Sequence, residues 1–248
     1  MENKLSIVFP TFDSEKEIPR LLESIEKLGL DKKAEIIAVD ADSRDRTLEF
    51  LKKHKYVKVV KLPRISTKGK AREEGIKAST GNIIANIDSD VEILEGWYEA
   101  IMETMKYADI VAGYSPHPKR GATPRVSILI DGQDITYPGC NIAHKRKIFE
   151  KVGYIKDTEL AEDCDFNYRC IKAGHTIQYN PKMKILHHHT TTKIGFIKQA
   201  FIYGRGRWEL NKNYPELKTK HQHGISVKNW IRLGFGFLGY IYEKIINR

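Results

Sequence analysis

Residues 82–93 read NIIANIDSDVEI, an apolar run that ends in two carboxylates, Asp88 and Asp90, with only Ser89 between them. An extended backbone would set the two acids on one side, about 6–7 Å apart. Anions that close repel unless a positive charge accompanies them. A hard divalent cation meets that demand, because Mg²⁺ takes one or two protein carboxylates and completes its shell with phosphate oxygens. The plainer reading is an acidic turn in which Asp90 caps a helix starting near Val91, and D-x-D alone favours it. A second acidic group, ELAEDCD, puts Glu159, Glu162, Asp163 and Asp165 in a first helical turn, where acids suit the helix dipole in any case. In a histidine run, LHHHTTT, a strand would send His187 and His189 to one face and His188 to the other. Metal or diphosphate binding and an idle surface weigh equally there. Nearby Lys193, Lys198, Arg205 and Arg207 would either close over a diphosphate or form a solvated basic face.

These residues need a frame. LSIVF (5–9) reads as a buried strand, and SEKEIPRLLESIEKLG as an amphipathic helix closed by Gly29. AEIIAVD is the next strand, followed by the helix SRDRTLEFLKKH with Ser43 as its N-cap. VKVVKL, the helix TKGKAREEGIKAST and NIIANID continue the alternation, and ADIVAG (108–113) adds a strand. Strand–helix alternation predicts an α/β protein with a mostly parallel central sheet, helices on both faces and right-handed crossovers. In such sheets ligands bind beyond the carboxyl ends of the strands. Thr11, Asp13, Asp40, Asp42, Asp88 and Asp90 all fall just past such ends, so acids scattered in sequence would gather in space.

The rhythm changes at YSPHPKRGATPRVS, a Pro/Gly/basic loop that marks the best internal boundary. The expected organisation is a domain over 1–192, with halves 1–115 and 116–192, and a basic, aromatic helical tail over 193–248. Within that tail, Leu233 to Tyr242 carry no charge, a run too short for the roughly 20 helical residues that span a bilayer. Trp230, Tyr240 and Tyr242 lie beside Lys228, Arg232, Lys244 and Arg248, as in an interfacial segment. A helix packed on the core accounts for the same residues equally well.

Composition narrows the classes. Forty-one per cent hydrophobic residues allow a full core, and no apolar run approaches a membrane span. The N-terminal MENKLSIVF is too polar for a signal peptide. Cys140, Cys164 and Cys170 have no metal-type spacing and read as reduced thiols of a cytoplasmic protein. A net charge of +10 favours anionic partners: nucleotide phosphates, an anionic membrane surface or nucleic acid. No nucleic-acid-reading motif is visible. Neither G-x-G-x-x-G nor a Walker loop follows the first strand, which removes dinucleotide and P-loop readings. The segment PTFDSEKEI, where a sugar nucleotidyltransferase would carry a glycine-rich basic loop, counts against that class too.

In order along the chain, SIVFPTFDSEKEI, IIAVDADSRDRT, KGKAREEGIKASTGNIIANIDSD, PGCNIAHKRKIFEKVG and AEDCDFNYRCIKAG resemble the GT-A-fold glycosyltransferases, most closely the inverting family-2 group. The resemblance covers roughly residues 4–192. It implies a metal-assisted enzyme that moves one sugar from a nucleoside-diphosphate sugar to an acceptor hydroxyl on a glycan or lipid-linked molecule. Pro10, Thr11, Asp13, Asp40 and Asp42 would line the nucleoside pocket, with Ser89 beside it. Arg72 matches an arginine near the donor. Asp88 would face ribose and metal, Asp90 would be the direct ligand of Mn²⁺ or Mg²⁺, and His187 matches a histidine that completes the metal site in some relatives. Asp163 matches the catalytic base, with Glu162 and Asp165 orienting the helix or acceptor. Three positions depart from the pattern. Asp13 stands where the family commonly has Asn. Ala41 replaces an acid that contacts the base, removing an acceptor for a uracil N–H, so UDP-sugar is favoured while GDP-sugar stays open. Gly204 stands in the Gln position of the processive Q-x-x-R-W. The alternative is a non-catalytic basic protein that docks to membrane or nucleic acid on the same scaffold.

Overall fold

The structure, a computed structural model, describes residues 4–118, 127–158, 160–188, 192–217 and 227–246. Glu159, His189, Arg248 and part of the Pro/Gly/basic loop lie outside the described residues. The strands are β1 (Leu5–Thr11), β2 (Ala34–Asp40), β3 (Val57–Lys61), β4 (Ile83–Ile87), β5 (Val91–Ile93), β6 (Ile110–Tyr114), β7 (Leu129–Ile130), β8 (Gln133–Asp134), β9 (Asn141–Lys145) and β10 (Ile177–His187). The helices are α1 (Ile18–Lys27), α2 (Leu30–Lys33), α3 (Thr47–Lys53), α4 (Lys68–Ala78), α5 (Trp97–Thr104), α6 (Lys147–Val152), α7 (Glu162–Lys172), α8 (Lys193–Asn213) and α9 (Val227–Ile246).

Eight strands form one sheet in the order β3-β2-β1-β4-β9-β6-β10-β5, and β7 and β8 make a separate ribbon. β1 pairs in parallel with β2 and β4, β2 with β3, and β6 with β10. β9 runs antiparallel between β4 and β6, and β5 antiparallel to β10. Side chains alternate across the sheet. Leu5, Ile7 and Phe9 enter a core with Leu21, Leu22, Leu51 and Trp97, while Val8, Ile37 and Val39 enter a second with Ala71, Ile76, Phe149 and Phe166. The period of two thus covers both faces, as alternating apolar strands require. Each fully buried Leu, Ile or Phe contributes about 1.5–3 kcal/mol.

Three local expectations are corrected. β4 stops at Ile87 and β5 starts at Val91, so Asp88, Ser89 and Asp90 sit in a turn rather than along a strand. The next helix starts at Trp97, so Asp90 caps nothing. Ser43 is not an N-cap either, since α3 begins at Thr47, four residues later. Its hydroxyl instead donates to Asp40 at 2.6 Å and accepts from the Asp13 N–H at 3.0 Å. A local cap gave way to a bond across two loops, because Asp40 is buried and needs donors.

Topology also decides which ends meet. β9 enters the sheet in reverse, with Asn141 opposite Ile87, so Gly139 and Cys140 arrive at the carboxyl edge of β4. Asn141 is locked there: its side chain accepts from Trp97 Nε1 at 2.9 Å and donates to the Met183 carbonyl at 2.9 Å. β10 runs parallel to β6 and delivers His187 to the same edge.

Candidate active site

The first wall of the site is built by Asp40. Its carboxylate has no exposed surface and accepts from Thr11 Oγ1 at 2.9 Å, Ser43 Oγ at 2.6 Å and the Ser43 N–H at 2.9 Å. Those bonds, with Ala41 N–H to the Thr11 carbonyl at 3.0 Å, tie the loops after β1 and β2 together. Asp40 therefore holds the wall and does not face solvent. Asp13 and Asp42, at φ 46° and 57°, are the exposed acids of the same loops; aspartate tolerates this left-handed region better than most residues. Arg64 clamps them: it is paired with the Asp13 carboxylate, donates to the Asp42 carbonyl at 2.8 Å, and lies 4.3 Å over the Phe12 ring. The Arg64 guanidinium and the Arg44 N–H hold the Asp13 carboxyl down at about 2. Pro10 sits in β1 beside Val39, and Ser89 meets Ser14 hydroxyl to hydroxyl at 3.2 Å.

Under the turn lies Arg72, 2% exposed, reaching across from α4. One arm bonds Asp88 Oδ1 at 2.8 Å and the other is paired with Glu162 Oε1. Lys68, one helical turn earlier, reaches Asp88 Oδ2 at 3.3 Å. Burial works against charge on Asp88, but Lys68 and Arg72 outweigh it and hold the carboxyl well below the usual carboxylate range. Burial, with Asp163 alongside, pushes Glu162 the other way against the pull of Arg72. Gly139 makes room for this knot, because a Cβ there would meet the Arg72 guanidinium at 2.8 Å. The Gly69 backbone packs closer still, since a Cβ there would lie 2.0 Å from the Lys156 carbonyl oxygen, and Thr67 donates to Asp157 at 2.6 Å, fixing α4 against the segment before α7.

Asp163 lies in the first turn of α7, with Oδ2 accepting the Gly139 N–H at 3.1 Å and Oδ1 the Cys164 N–H at 2.8 Å. Ala161, at φ 54°, turns the chain into that helix. Asp165 faces away from this group: it bonds Lys156 at 2.7 Å, Tyr214 Oη at 2.6 Å and Arg169 at 2.8 Å, anchoring α7 to its surroundings. On the opposite side, Asp90 Oδ1 meets His187 Nε2 at 3.1 Å, and His187 Nδ1 lies 3.8 Å from Cys140 Sγ. Burial disfavours the imidazolium, yet the bonds to Asp90 and Cys140 prevail and lift His187 to about 11. His188 turns to Glu92 at 3.0 Å and leaves the group. Ligand atoms of Asp88, Cys140 and His187 fall within 4.8 Å of one another.

The fold thus brings together Asp88, Asp90, Arg72, His187 and Asp163, with Thr11, Asp13, Asp40 and Asp42 on the neighbouring wall. Sequence reading missed Lys68, Arg64 and Cys140. Lys68 and Arg72 are four apart on α4, one face of a helix, and that spacing was a usable signal. Cys140 had none, since strand reversal alone carries it to His187.

Residues 6–164 match the sequence model of glycosyl transferase family 2. The pre-mycofactocin glycosyltransferase of Mycobacterium tuberculosis is 24% identical over 266 residues, covering 98% of this chain and 55% of the relative. The chain spans about half the length of the curated relatives it matches over most of its own residues. Staphylococcus aureus TarS 1-349 in complex with UDP-GlcNAc superposes with a TM-score of 0.66 at 19% identity, over 94% of this chain and 71% of that one. The mannosyltransferase PcManGT of Pyrobaculum calidifontis, in complex with GDP-Man and Mn²⁺, gives 0.65 at 14% identity, over 99% and 76%. At those identities the likeness establishes the fold, which is GT-A. With the family match running from β1 through β9 and over Arg72, the acidic turn and Asp163, the chain belongs to glycosyl transferase family 2.

Proposed function

We propose that this chain catalyses inverting transfer of a single sugar from a nucleoside-diphosphate sugar to an acceptor hydroxyl, with Asp163 as general base. The observation that carries the reading is Arg72: one buried guanidinium bridges the acidic turn at Asp88 to Glu162, the residue before Asp163. It holds the donor side and the acceptor side of the edge in one register. In inverting transfer the acceptor hydroxyl attacks the anomeric carbon opposite the leaving diphosphate, and a positioned carboxylate takes its proton. Two backbone N–H groups orient the Asp163 carboxylate for that task. Lys68, on the rim beside Asp88, supplies positive charge where diphosphate oxygens would lie. The Asp13–Arg64–Phe12 clamp offers a ring and a guanidinium plane to a nucleobase. UDP-sugar remains the favoured donor and GDP-sugar the second, in keeping with the ligands named for the two solved neighbours.

The donor set suits a divalent ion. Asp90 oxygen and His187 nitrogen adjoin, and both oxygens of Asp88 are already engaged by cations. Asp90 and His187 would therefore hold the ion, His187 as the neutral imidazole once the cation displaces the proton it shares with Asp90, and a mixed oxygen–nitrogen set favours Mn²⁺ over Mg²⁺. When bound, such an ion stabilises the charge that develops on the leaving diphosphate.

Incubation with a panel of UDP- and GDP-sugars, with Mn²⁺, Mg²⁺ or EDTA, tests the reading through donor turnover and thermal stabilisation. One donor class should stabilise the protein and be consumed, with loss of turnover in EDTA. Asp163→Asn should keep donor binding while turnover falls by at least about a hundredfold. Near-normal turnover in that variant removes Asp163 from the mechanism.

A further inference from the structure

α8 and α9 form a hairpin whose closest backbone approaches are made at glycines. A Cβ at Gly204 would lie 1.7 Å from the Gly236 carbonyl oxygen, and one at Gly239 would lie 2.0 Å from that of Phe201. The outer face of α9 is different. Trp230 (67% exposed), Phe237 (65%) and Ile245 (63%) form one row along it, and Ile231, Leu238, Tyr242 and Ile246 form the next, all exposed. At about 100° per residue the two rows cover roughly half the helix circumference. Arg232 borders this face on one side and Lys244 on the other. Glu243, the one acid in α9, is turned inward and paired with Arg205 on α8. The outer face therefore carries apolar and cationic groups and no anion among its described residues.

We propose that this face lies in the surface of an anionic bilayer. Charge selects the occupant: a cation-rimmed apolar stripe with its acid buried, on a chain of net charge +10, complements acidic headgroups over acyl chains. Trp and Tyr on the stripe belong at that boundary. No helix among the described residues is long and apolar enough to cross a membrane, so α9 lies along the surface. The basic stretch on α8 contributes less than its sequence suggests, because Arg205 is consumed by Glu243. The hairpin also places the site. Arg232 stacks 5.4 Å over Tyr203 on α8, and further along α8 Gly206 packs against Ala161, two residues before Asp163, where a Cβ would lie 3.2 Å from the Ala161 Cβ. Docking through α9 thus sets the mouth of the site at the headgroup level, where it meets an acceptor hydroxyl on a lipid; this last step rests on the transferase reading above.

The test is flotation of the full chain with phosphatidylcholine vesicles and with vesicles containing phosphatidylglycerol, at low and high salt. The chain should float with the anionic vesicles at low salt, and high salt should weaken this. Trp230→Glu/Phe237→Glu should lower partitioning at least about tenfold, since two large apolar side chains leave the acyl boundary. Leu238→Glu, a milder variant read the same way, guards against a hairpin that fails to fold. Nucleotide-sugar stabilisation, measured in parallel, should be unchanged from the wild type in both variants. Loss of that stabilisation in the wild type with flotation intact would fault the transferase reading and leave the docking surface standing. A wild type that never floats overturns the proposal, as does a soluble dimer broken by the same substitutions.

Discussion

The floor of the site and the α8–α9 hairpin solve opposite problems. At the floor, charged groups are buried and held by specific bonds: Arg72 by Asp88 and Glu162, Asp40 by Thr11 and Ser43. In the hairpin the helices approach because side chains are missing, and the large apolar residues are turned out. A reacting group needs one geometry, and buried charge-assisted bonds impose it. A docking face needs to be left uncovered, and glycine contacts provide a support that consumes none of it.

Breaking the floor should cost most. Arg72→Ala strands Glu162 as an unpaired buried acid while Asp88 keeps Lys68, and removing one partner of a buried pair typically costs about 3–5 kcal/mol. Urea unfolding should show that loss, and Arg72→Lys should recover only part of it, since an ammonium cannot reproduce the two-armed bridge. Breaking the hairpin should cost less and stay local. Gly204→Val drives a side chain into the Gly236 backbone, an overpacking worth about 1–3 kcal/mol or more. Proteolysis of α9 should accelerate while the main melting transition hardly moves. An equal fall in the main transition would mean that the hairpin and the sheet are one cooperative unit.

A sharper contrast comes from His144, buried on β9 among Phe149 and Phe166 and held down at about 3 by desolvation. Between that value and the free histidine value of roughly 6.5, the unfolded chain binds a proton that the folded chain refuses. Stability therefore falls as pH drops through this window, by at most about 1.4 kcal/mol per pH unit. His144→Phe should flatten the decline measured by urea unfolding from neutral to mildly acidic pH; an unchanged slope would assign it elsewhere. The smallest effect belongs to the exposed clamp. Arg64→Ala should leave the melting temperature nearly unchanged, as surface pairs do. It should raise the Asp13 carboxyl from about 2 toward its ordinary value, read by carboxyl NMR. What Arg64 contributes is present above the ordinary carboxylate range and disappears as pH falls through about 2.

Much of the frame was legible. The strands from Leu5, Ala34, Val57 and Ile83 and the helices between them follow from apolar periodicity, and the acids past their ends follow from parallel topology. The failures were local. Ser43 looks like a cap because it precedes a helical pattern, but a buried Asp40 claims its hydroxyl. Asp88 and Asp90 look collinear because the apolar run ends in them, yet the chain turns there to start β5.

The amino-acid sequence by itself determined the alternation, the supply of carboxylates at the strand ends and the glycines that let two helices touch, because these depend on spacing within a few residues. Only the tertiary structure decided which charges share a partner. Arg72 meets Glu162 ninety residues away, and Cys140 meets His187 across forty-seven. Those meetings depend on β9 entering the sheet in reverse and on α4 and α7 starting at one edge, and no local pattern encodes the order of strands in a sheet. The outward face of α9 was decided the same way. Its apolar residues fit a buried helix as well as a surface one, and only the glycine seam against α8 fixed which side was turned out.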